Sequence, residues 1–305
     1  MDAVKRSPLI TVIGGANTDI GGGPAESLRL YDSNPGVITL RQGGVGRNIA
    51  HNLRLLGLDV RLIAAVGDDL FGKGLRAECE ALGMDVSRML VVPGARSSAY
   101  LYVTNAAGDM HVGIADMDIV RHITPDYLQP LMEEINASDA VVVDANLSEE
   151  TLDYLAEACT APLYGDPVST AKAPRMKKLL PRLTAFKPNA LEAALLTGEN
   201  YPGQAARALL KLGIKRVFIS LGSGGMLAAE DGEVLRLPCM TGRIVNTTGA
   251  GDAAVAAIVW AGVQGFDLRK TTEVIPYLFQ QFQFVYHLYE RNIHKRKKRP
   301  DSRNF

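Results

Sequence analysis

Short runs of aliphatic and β-branched residues alternate along the chain with longer amphipathic runs. A predicted strand at Leu9–Ile13 is followed by a predicted helix at 46–56, and a strand at 60–66 by a helix at 71–82. Apolar runs bounded by turn residues are typical of strands, and a period of 3.6 residues is typical of helices. The alternation predicts βα units that assemble into a mainly parallel sheet.

The same alternation returns in the second half of the chain. The predicted strands there are Ala140–Asp144, Leu163–Asp166, Leu183–Phe186 and Val217–Leu221, and the predicted helices follow Ser148, begin at Asn189 and follow Pro202. These strands are apolar at consecutive positions, which indicates burial on both faces. We therefore expect helices on both sides of the sheet.

Two intervals break this rhythm. Short predicted strands at 89–92, 99–104 and 110–114 have no helix between them, and a glycine-containing turn separates the last two. Together with residues 27–40 they predict a small antiparallel sheet beside the main one. A surface hairpin without function and a lid over a site both fit this pattern.

Composition places the 305 residues among ordinary globular proteins, with 47% hydrophobic and 22% charged residues. Lys plus Arg and Asp plus Glu both total 33, so no global field attracts nucleic acid or a membrane surface. Apolar runs stay well short of the about 20 residues that cross a bilayer. The three cysteines form no C-x-x-C pair, which suits a reducing compartment. We expect a cytoplasmic protein with no nucleic-acid or membrane partner.

Residues 275–305 differ from the rest of the chain. They hold seven of the nineteen aromatic residues and carry a net charge of +5, against −5 for residues 1–274. Pro276 is expected to interrupt a helix, and 295–299 is an uninterrupted basic run. Two interpretations stay open: a tail for nucleic acid or a membrane surface, and a reading frame that shifts near codon 275. We treat 1–274 as one domain and 275–305 as an atypical tail.

The principal candidate for chemistry is the segment N-T-T-G-A-G-D at 246–252, which leads directly into a predicted helix. Gly249, Ala250 and Gly251 would present backbone N–H groups at the positive end of the helix dipole, where anions bind. Asp252, in the first turn, could accept the proton of an attacking hydroxyl while these amides stabilise a transferring phosphoryl group. A glycine-rich turn with a capping Asp is the alternative.

A second cluster, Lys187-Pro188-Asn189 with Glu192, follows a predicted strand. Asn189 and Glu192 lie three residues apart at a helix start and could hold hydrated magnesium against a polyphosphate. The same pair is also typical of an ordinary capping box. The turn at 220–225 would let a nucleotide approach the backbone closely, or is simply a turn.

A third cluster lies near the amino terminus. Asn17, Asp19 and Asn48 are polar residues at predicted strand and helix ends, where ligand hydroxyls are bound in open α/β sheets. Gly43 and Gly44 would allow a ring or sugar to contact the backbone. Helix capping is the alternative for Asp19 and Asn48.

These clusters, in this order and spacing, resemble the ribokinase-like (PfkB) carbohydrate kinases. The matching motifs are G-G-x-G-x-N-x-A near residue 45, K-P-N-x-x-E at 187–192 and G-A-G-D at 249–252. The resemblance runs from about residue 9 to about residue 269. It implies a three-layer α/β fold, with a mainly parallel central sheet flanked by helices and a small antiparallel β lid from about 27–40 and 89–114.

Within that family, residues 32–36, 43–50 and 116–119 are similar to those of the enzymes that phosphorylate pseudouridine. The resemblance then implies ATP-dependent transfer to the 5′-hydroxyl of this nucleoside. A kinase for ribose, uridine or adenosine, or a catalytically impaired ligand-binding relative, is the alternative.

The resemblance also implies roles for individual residues. Asp252 would be the base, Gly249, Ala250 and Gly251 the anion hole, and Asn189 and Glu192 would organise Mg²⁺ through water. The expected ATP-binding residues are Lys187, Asn189, Glu192, Ser220, Gly222, Gly225 and Thr248. The expected acceptor-binding residues are Asn17, Asp19, Gly43, Gly44 and Asn48.

Two further expectations follow from the family. The lid would close over the acceptor and pair two subunits into a homodimer. Asn246 stands where most relatives have Asp at a monovalent-cation site, so activation by potassium is left undecided.

Overall fold

The computed structural model describes residues 6–239 and 249–278. Its strands, in chain order, are β1 Leu9–Ile13, β2 Asn17–Pro24, β3 Gly36–Gly43, β4 Asp59–Ile63, β5 Ala65–Gly67, β6 Leu90–Val92, β7 Ala99–Thr104, β8 Met110–Asp116, β9 Ala140–Asp144, β10 Leu163–Asp166, β11 Leu183–Phe186, β12 Arg216–Ser220, β13 Met226–Glu230 and β14 Glu233–Leu237. Its helices are α1 Val45–Leu55, α2 Leu70–Ala81, α3 Pro125–Leu128, α4 Met132–Asn136, α5 Glu149–Ala158, α6 Ala190–Thr197, α7 Pro202–Lys211 and α8 Ala250–Val263. Residues 268–278 are also helical.

The central sheet has eight strands in the order β14-β13-β12-β11-β10-β9-β1-β4. It is parallel from β12 to β4, and β13 and β14 are antiparallel. Neighbouring residues of one strand belong to different cores: Val142 packs on the side of α1 and α8, whereas Val143 packs on the side of α5 and α7. The sheet is therefore buried on both faces, which confirms the predicted three-layer fold.

The carboxyl ends of the central strands bring acidic residues to one edge. Asp144 ends β9 and Asp166 ends β10, and the parallel register pairs these two positions. Helix α8 packs against α1. Polar side chains from the strand ends and the amino ends of these two helices meet at this edge, as is usual in open α/β sheets.

A separate four-stranded sheet, which we call the lid, has the order β3-β2-β7-β8. It differs from the prediction in two respects. Residues 27–35 lie in the connection between β2 and β3, and the strands lie at 17–24 and 36–43. The sheet is also not wholly antiparallel, since β2 pairs with β7 in parallel. Strand β2 contains three consecutive glycines, which weaken a strand signal in the sequence. At Gly21 the space that a side chain would occupy is filled by the Tyr102 hydroxyl, 2.6 Å from an added Cβ.

Residues 89–92, which the sequence groups with the lid, belong elsewhere. The strand predicted at 60–66 is divided into β4, in the central sheet, and β5, which pairs in parallel with β6 in a two-stranded sheet. The pattern of apolar residues marks these strands but carries no information on which partner each one takes.

The expected interruption at Pro276 is wrong, since the helical run continues through it to residue 278. Ile275 is 2% exposed and packs into the same core as α8. The rest of the tail, 279–305, lies outside the described residues.

Cys79 and Cys159 are buried and Cys239 is exposed. Among the described helices, none combines the length and the apolar character that crossing a membrane requires.

Candidate active site

Asp252 lies in the first turn of α8, which begins after a left-handed turn at Gly249 with φ of 83°. Only 9% of Asp252 is exposed. A Cβ added to Gly251 would lie 3.1 Å from Lys187 Nζ, so the ammonium group lies against the first turn of this helix. The structure thus brings Gly249, Ala250, Gly251 and Asp252 together at the positive end of a helix dipole. Thr248, like Asn246, lies outside the described residues.

The carboxylate of Asp252 is held from the neighbouring helix. Asn48 Nδ2 donates a 2.9 Å hydrogen bond to Asp252 Oδ2. Asn48 does not cap α1, because Gly44 is the N-cap residue and the Asn48 N–H donates to its carbonyl. The amide expected to contact the acceptor therefore contacts the candidate base in this structure.

Lys187 and Asp166 form a buried ion pair of 3.3 Å, with 7% and 5% of the two residues exposed. Burial alone would lower the pKa of Lys187, but the carboxylates of Asp166, Asp252 and Glu192 outweigh it and the pKa is raised. Lys187 is therefore a cation, and it places a buried positive charge beside the first turn of α8.

The pKa of Asp252 is raised to about 7. Burial contributes most, and the charges of Asp166 and Asp144 act in the same direction, whereas the hydrogen bond from Asn48 and the charge of Lys187 oppose them. A carboxylate with a pKa near neutrality is matched to accepting a proton during catalysis.

Asp144 supports the loop that carries Asn17. Its two carboxylate oxygens accept the N–H groups of Gly15 and Asn146, each at 2.9 Å. Burial raises its pKa to about 6. An added Cβ on Gly14 would lie 2.4 Å from Asp144 Oδ2, so only glycine fits beside this carboxylate. Neither Asp144 nor Asp166 is among the site residues predicted from the sequence, although both end consecutive predicted strands.

The predicted acceptor-binding residues lie together at the base of the lid. Asn17 pairs with Gly43 in the β2–β3 register, and Asn17 Nδ2 donates to Asp19 Oδ1 at 2.6 Å. Burial raises the pKa of Asp19. Gly44 has φ of 95°, and its added Cβ would lie 2.6 Å from the Ala16 Cα, so a side chain is excluded.

A cavity of about 260 Å³ lies beside this cluster. Its wall includes Asn146, whose side chain is 2.5 Å from an added Cβ on Gly15, and Lys172, whose Nζ donates to Asn146 Oδ1 at 2.6 Å. Arg175 and Glu149 also line it. The cavity therefore offers hydrogen-bond donors and acceptors next to the loop that carries Asn17.

The predicted nucleotide side forms around the start of α6. Asn189 Oδ1 accepts the Glu192 N–H at 2.9 Å, and Glu192 Oε2 accepts the Asn189 N–H at 2.8 Å, which is a complete capping box. Asn189 also forms a parallel bridge with Ser220. The side-chain oxygens of Asn189 and Glu192 are of the kind that Mg²⁺ binds, either directly or through its coordinated waters. In the part of the chain that the structure describes, no three His, Cys, Asp or Glu side chains converge as a direct metal site.

Gly222 and Gly225 form the tight turn after Ser220, with φ of 58° and 87°. The added Cβ of Gly225 would lie only 2.0 Å from the Leu237 carbonyl oxygen, so the turn packs closely on the end of β14. The structure thus brings together, at the ends of the neighbouring strands β11 and β12, the predicted nucleotide-binding residues Lys187, Asn189, Glu192, Ser220, Gly222 and Gly225.

The chain is similar to known proteins in sequence and in fold. The family model described as pfkB family carbohydrate kinase matches residues 7–274. The pseudouridine kinase of Escherichia coli (strain K12) is 37% identical over 275 residues, covering 88% of each chain. A solved carbohydrate kinase from Agrobacterium tumefaciens has a TM-score of 0.75 at 31% identity, covering 87% of each chain.

The Arabidopsis thaliana ribokinase solved with ribose and ATP has a TM-score of 0.76 at 22% identity, covering 88% of this chain and 90% of its own. At that identity the likeness supports the fold alone. The family match, by contrast, extends from β1 to the helical residues after α8 and includes all three clusters. The chain therefore belongs to the pfkB family of carbohydrate kinases, and it is a phosphotransferase with a hydroxyl group as acceptor.

Proposed function

We propose that the protein phosphorylates the 5′-hydroxyl of pseudouridine with ATP, giving pseudouridine 5′-phosphate and ADP. The observation that carries the kinase chemistry is the buried carboxylate of Asp252, which lies at the amino end of α8 beside Lys187 and has a pKa of about 7. The choice of pseudouridine is supported by the 37% identity to the Escherichia coli enzyme.

In the proposed reaction, Asp252 accepts the proton of the 5′-hydroxyl as its oxygen attacks the γ-phosphorus. The bond from that phosphorus to the β–γ bridging oxygen breaks, and ADP leaves. The N–H groups of Gly249, Ala250 and Gly251 donate to the transferring phosphoryl oxygens. Lys187 offsets negative charge at the same point.

Asn189 and Glu192 would hold Mg²⁺ through its waters, and the ion would neutralise charge on the β- and γ-phosphates. Ser220, Gly222 and Gly225 would border the nucleotide. Since the Asn189 and Glu192 side chains already cap α6, one set of hydrogen bonds positions both of them.

On the acceptor side, Asn17 and Asp19 would bond the ribose hydroxyls, and Gly43 and Gly44 would let the sugar contact the backbone. The lid would close over it and exclude the water that otherwise hydrolyses ATP. The sequence also leads us to expect that segment 33–44 faces the base of the nucleoside. Only the carboxyl end of that segment adjoins this cluster, since Gly36 pairs with Pro24 at the other end of β3.

The cavity beside Asn146 is a second candidate for the base. A uracil ring alternates carbonyl acceptors and N–H donors, and Lys172 and Glu149 present groups of both kinds. Lys172→Met should then lower kcat/KM for pseudouridine and leave that for ribose unchanged. An equal loss for both acceptors would exclude this placement.

We also propose that the lid pairs two subunits. Ile20, Leu40, Leu101 and Ile114 form one row across all four of its strands, on the face opposite Asp19. Leu40 and Ile114 are 62% and 65% exposed. A continuous apolar face of this kind is typical of an interface between subunits.

The proposed function is tested by ADP release with pseudouridine, uridine, adenosine, ribose and fructose, assayed in parallel. We expect the highest kcat/KM for pseudouridine. It differs from uridine in its C–C glycosidic bond and free N1–H, and a site that accepts this N–H is left with an unpaired buried group when uridine binds. Equal efficiency on the two nucleosides would contradict the proposed specificity.

A further inference from the structure

Arg47 is a buried cation that connects two helices near the active site. It lies on α1, and only 2% of the residue is exposed. Its Nη2 donates a 2.6 Å hydrogen bond to Glu78 Oε1 on α2, and its Nη1 donates a 3.3 Å hydrogen bond to Asn48 Oδ1. The guanidinium group therefore contacts both the neighbouring helix and the side chain that holds Asp252.

The contact with Asn48 determines how that amide is oriented. An amide oxygen only accepts hydrogen bonds and an amide nitrogen only donates them. With Oδ1 held by Arg47, Nδ2 is directed to Asp252, 2.9 Å away. The reversed amide would place its nitrogen against a guanidinium and its oxygen against a carboxylate, and both contacts are unfavourable.

We propose that Arg47, fixed by Glu78, is a positioning residue that acts through Asn48 on the catalytic base. The inference rests on the proposed role of Asp252. It extends that role to an ion pair between α1 and α2 that touches no substrate. The chain of contacts runs from Glu78 through Arg47 and Asn48 to Asp252.

A contribution to stability alone explains the pair less well. The Nε of Arg47 is buried, and the structure gives it no hydrogen-bond partner among the described residues. An unpaired buried donor costs free energy, and a buried ion pair can often be replaced by apolar side chains without loss of stability. Apolar residues could not reproduce the hydrogen bond from Arg47 to Asn48 Oδ1.

Several charged groups surround the two ends of this series of contacts, Asp252 and Arg47. Asp252 is near Lys187 and Asp166 at the strand ends, and also near Asp144. Arg47 is near Asp19, His51 and Cys79 as well as Glu78. Because the hydrogen bond from Asn48 lowers the pKa of Asp252, releasing Asn48 should raise it further.

The test compares three variants: Arg47→Leu/Glu78→Leu, Asn48→Ala, and the two combined. Removing both members of the pair leaves no unpaired buried charge, which favours a folded protein. We expect the double variant to lower kcat by about 10- to 100-fold with the KM for ATP unchanged. The acid limb of its pH profile should move to higher pH.

Non-additivity is the decisive result. If Arg47 acts through Asn48, the combined variant has the kcat and acid limb of Asn48→Ala alone, because the orienting contact has no target left. Multiplied losses would overturn the proposal, and so would an unchanged acid limb in the double variant. If the double variant is unfolded at the assay temperature, Arg47→Lys takes its place in the same comparison. Lysine lacks the planar guanidinium group that contacts Glu78 and Asn48 at the same time.

A matched control is the Arg216–Glu230 pair, which has the same 2.6 Å distance and joins β12 to β13. Arg216→Leu/Glu230→Leu should leave kcat and the acid limb unchanged. The pKa of Asp252, followed by carboxyl-carbon NMR and assigned with Asp252→Asn, gives a readout independent of turnover. A wild-type enzyme without activity on pseudouridine would refute the proposed substrate, whereas an unshifted Asp252 pKa in the double variant would refute the role of Arg47.

Discussion

Lys187 Nζ lies 3.3 Å from Asp166 Oδ2, at the carboxyl ends of the neighbouring strands β11 and β10. The same ammonium group lies against the first turn of α8, beside Gly251. One buried cation is therefore shared between an ion pair and the candidate base, so a change of charge at Asp166 should alter the behaviour of Asp252.

Replacing Asp252 with Asn should abolish phosphoryl transfer and leave ATP affinity nearly unchanged, because the carboxylate acts on the proton of the acceptor in the transition state. We expect kcat to fall by about two to four orders of magnitude. Turnover by ADP release and ATP binding by calorimetry measure the two effects. Asp231→Asn is the control, since Asp231 is exposed in the β13–β14 turn with φ of 48°, a conformation that Asn tolerates. Retention of more than about a tenth of the activity would contradict the role of Asp252.

The pH dependence of kcat/KM should report the ionisation of Asp252. Transfer requires the carboxylate form, and its pKa is about 7, so activity should fall as the pH decreases through 7. Asp166→Asn removes a negative charge that raises this pKa and releases Lys187 to act on Asp252, so the acid limb should move to lower pH. Breaking the buried pair should also cost about 3 to 5 kcal/mol of stability. A shift to higher pH would contradict the electrostatic argument.

Glu192→Gln separates capping from magnesium binding. A Gln at this position of a capping box still accepts the Asn189 N–H, so the melting temperature should change little. If Glu192 organises Mg²⁺, loss of its charge should raise the Mg²⁺ concentration for half-maximal activity by about tenfold. Titration of activity with Mg²⁺ measures this. If the Mg²⁺ concentration for half-maximal activity and the stability are both unchanged, the only role of Glu192 is to cap α6.

Gly225→Ala should destabilise the protein more than Gly222→Ala. Both glycines have positive φ, which costs an alanine about 1 to 2 kcal/mol. Only at Gly225 does the added Cβ collide with the Leu237 carbonyl, whereas at Gly222 it meets nothing within 4 Å. Thermal unfolding compares the stabilities, and the KM for ATP should rise mainly for Gly225→Ala. Equal effects of the two substitutions would show that the close contact is unimportant.

The lid interface predicts a change of oligomeric state. Leu40→Arg/Ile114→Arg places two cations on the apolar face of the lid and should convert a dimer into a monomer in analytical ultracentrifugation. Leu212→Arg, an equally drastic change at a 45% exposed residue after α7, should leave the dimer intact. A wild-type chain that is monomeric at all concentrations would refute the proposed pairing.

Local sequence patterns predicted the elements that can be recognised without knowing which strands or helices they pack against. The strands at 9–13, 140–144, 163–166 and 183–186 have the predicted bounds, because buried parallel strands appear in a sequence as short, mostly apolar runs. The capping box at Asn189 is likewise a matter of residues three apart.

Other elements needed information that lies elsewhere in the chain. Strand β2 was not predicted, since its three consecutive glycines weaken a strand signal, and the close contact that requires one of them, Gly21, comes from the side chain of Tyr102 across the sheet. The β13–β14 hairpin was also not predicted, although Asp231-Gly232, both with positive φ, is a recognised turn signal that could have revealed it.

The sequence by itself determined the layered α/β fold and the residue types at the candidate active site, because hydrophobic periodicity, glycine turns and helix starts depend on residues close in the chain. Only the tertiary structure decided what these residues do to one another. Asn48 and Asp252 are 204 residues apart, and their contact depends on how α1 and α8 pack. The pairing of Lys187 with Asp166 and the pKa of Asp252 depend in the same way on strand order and burial, which no local pattern encodes.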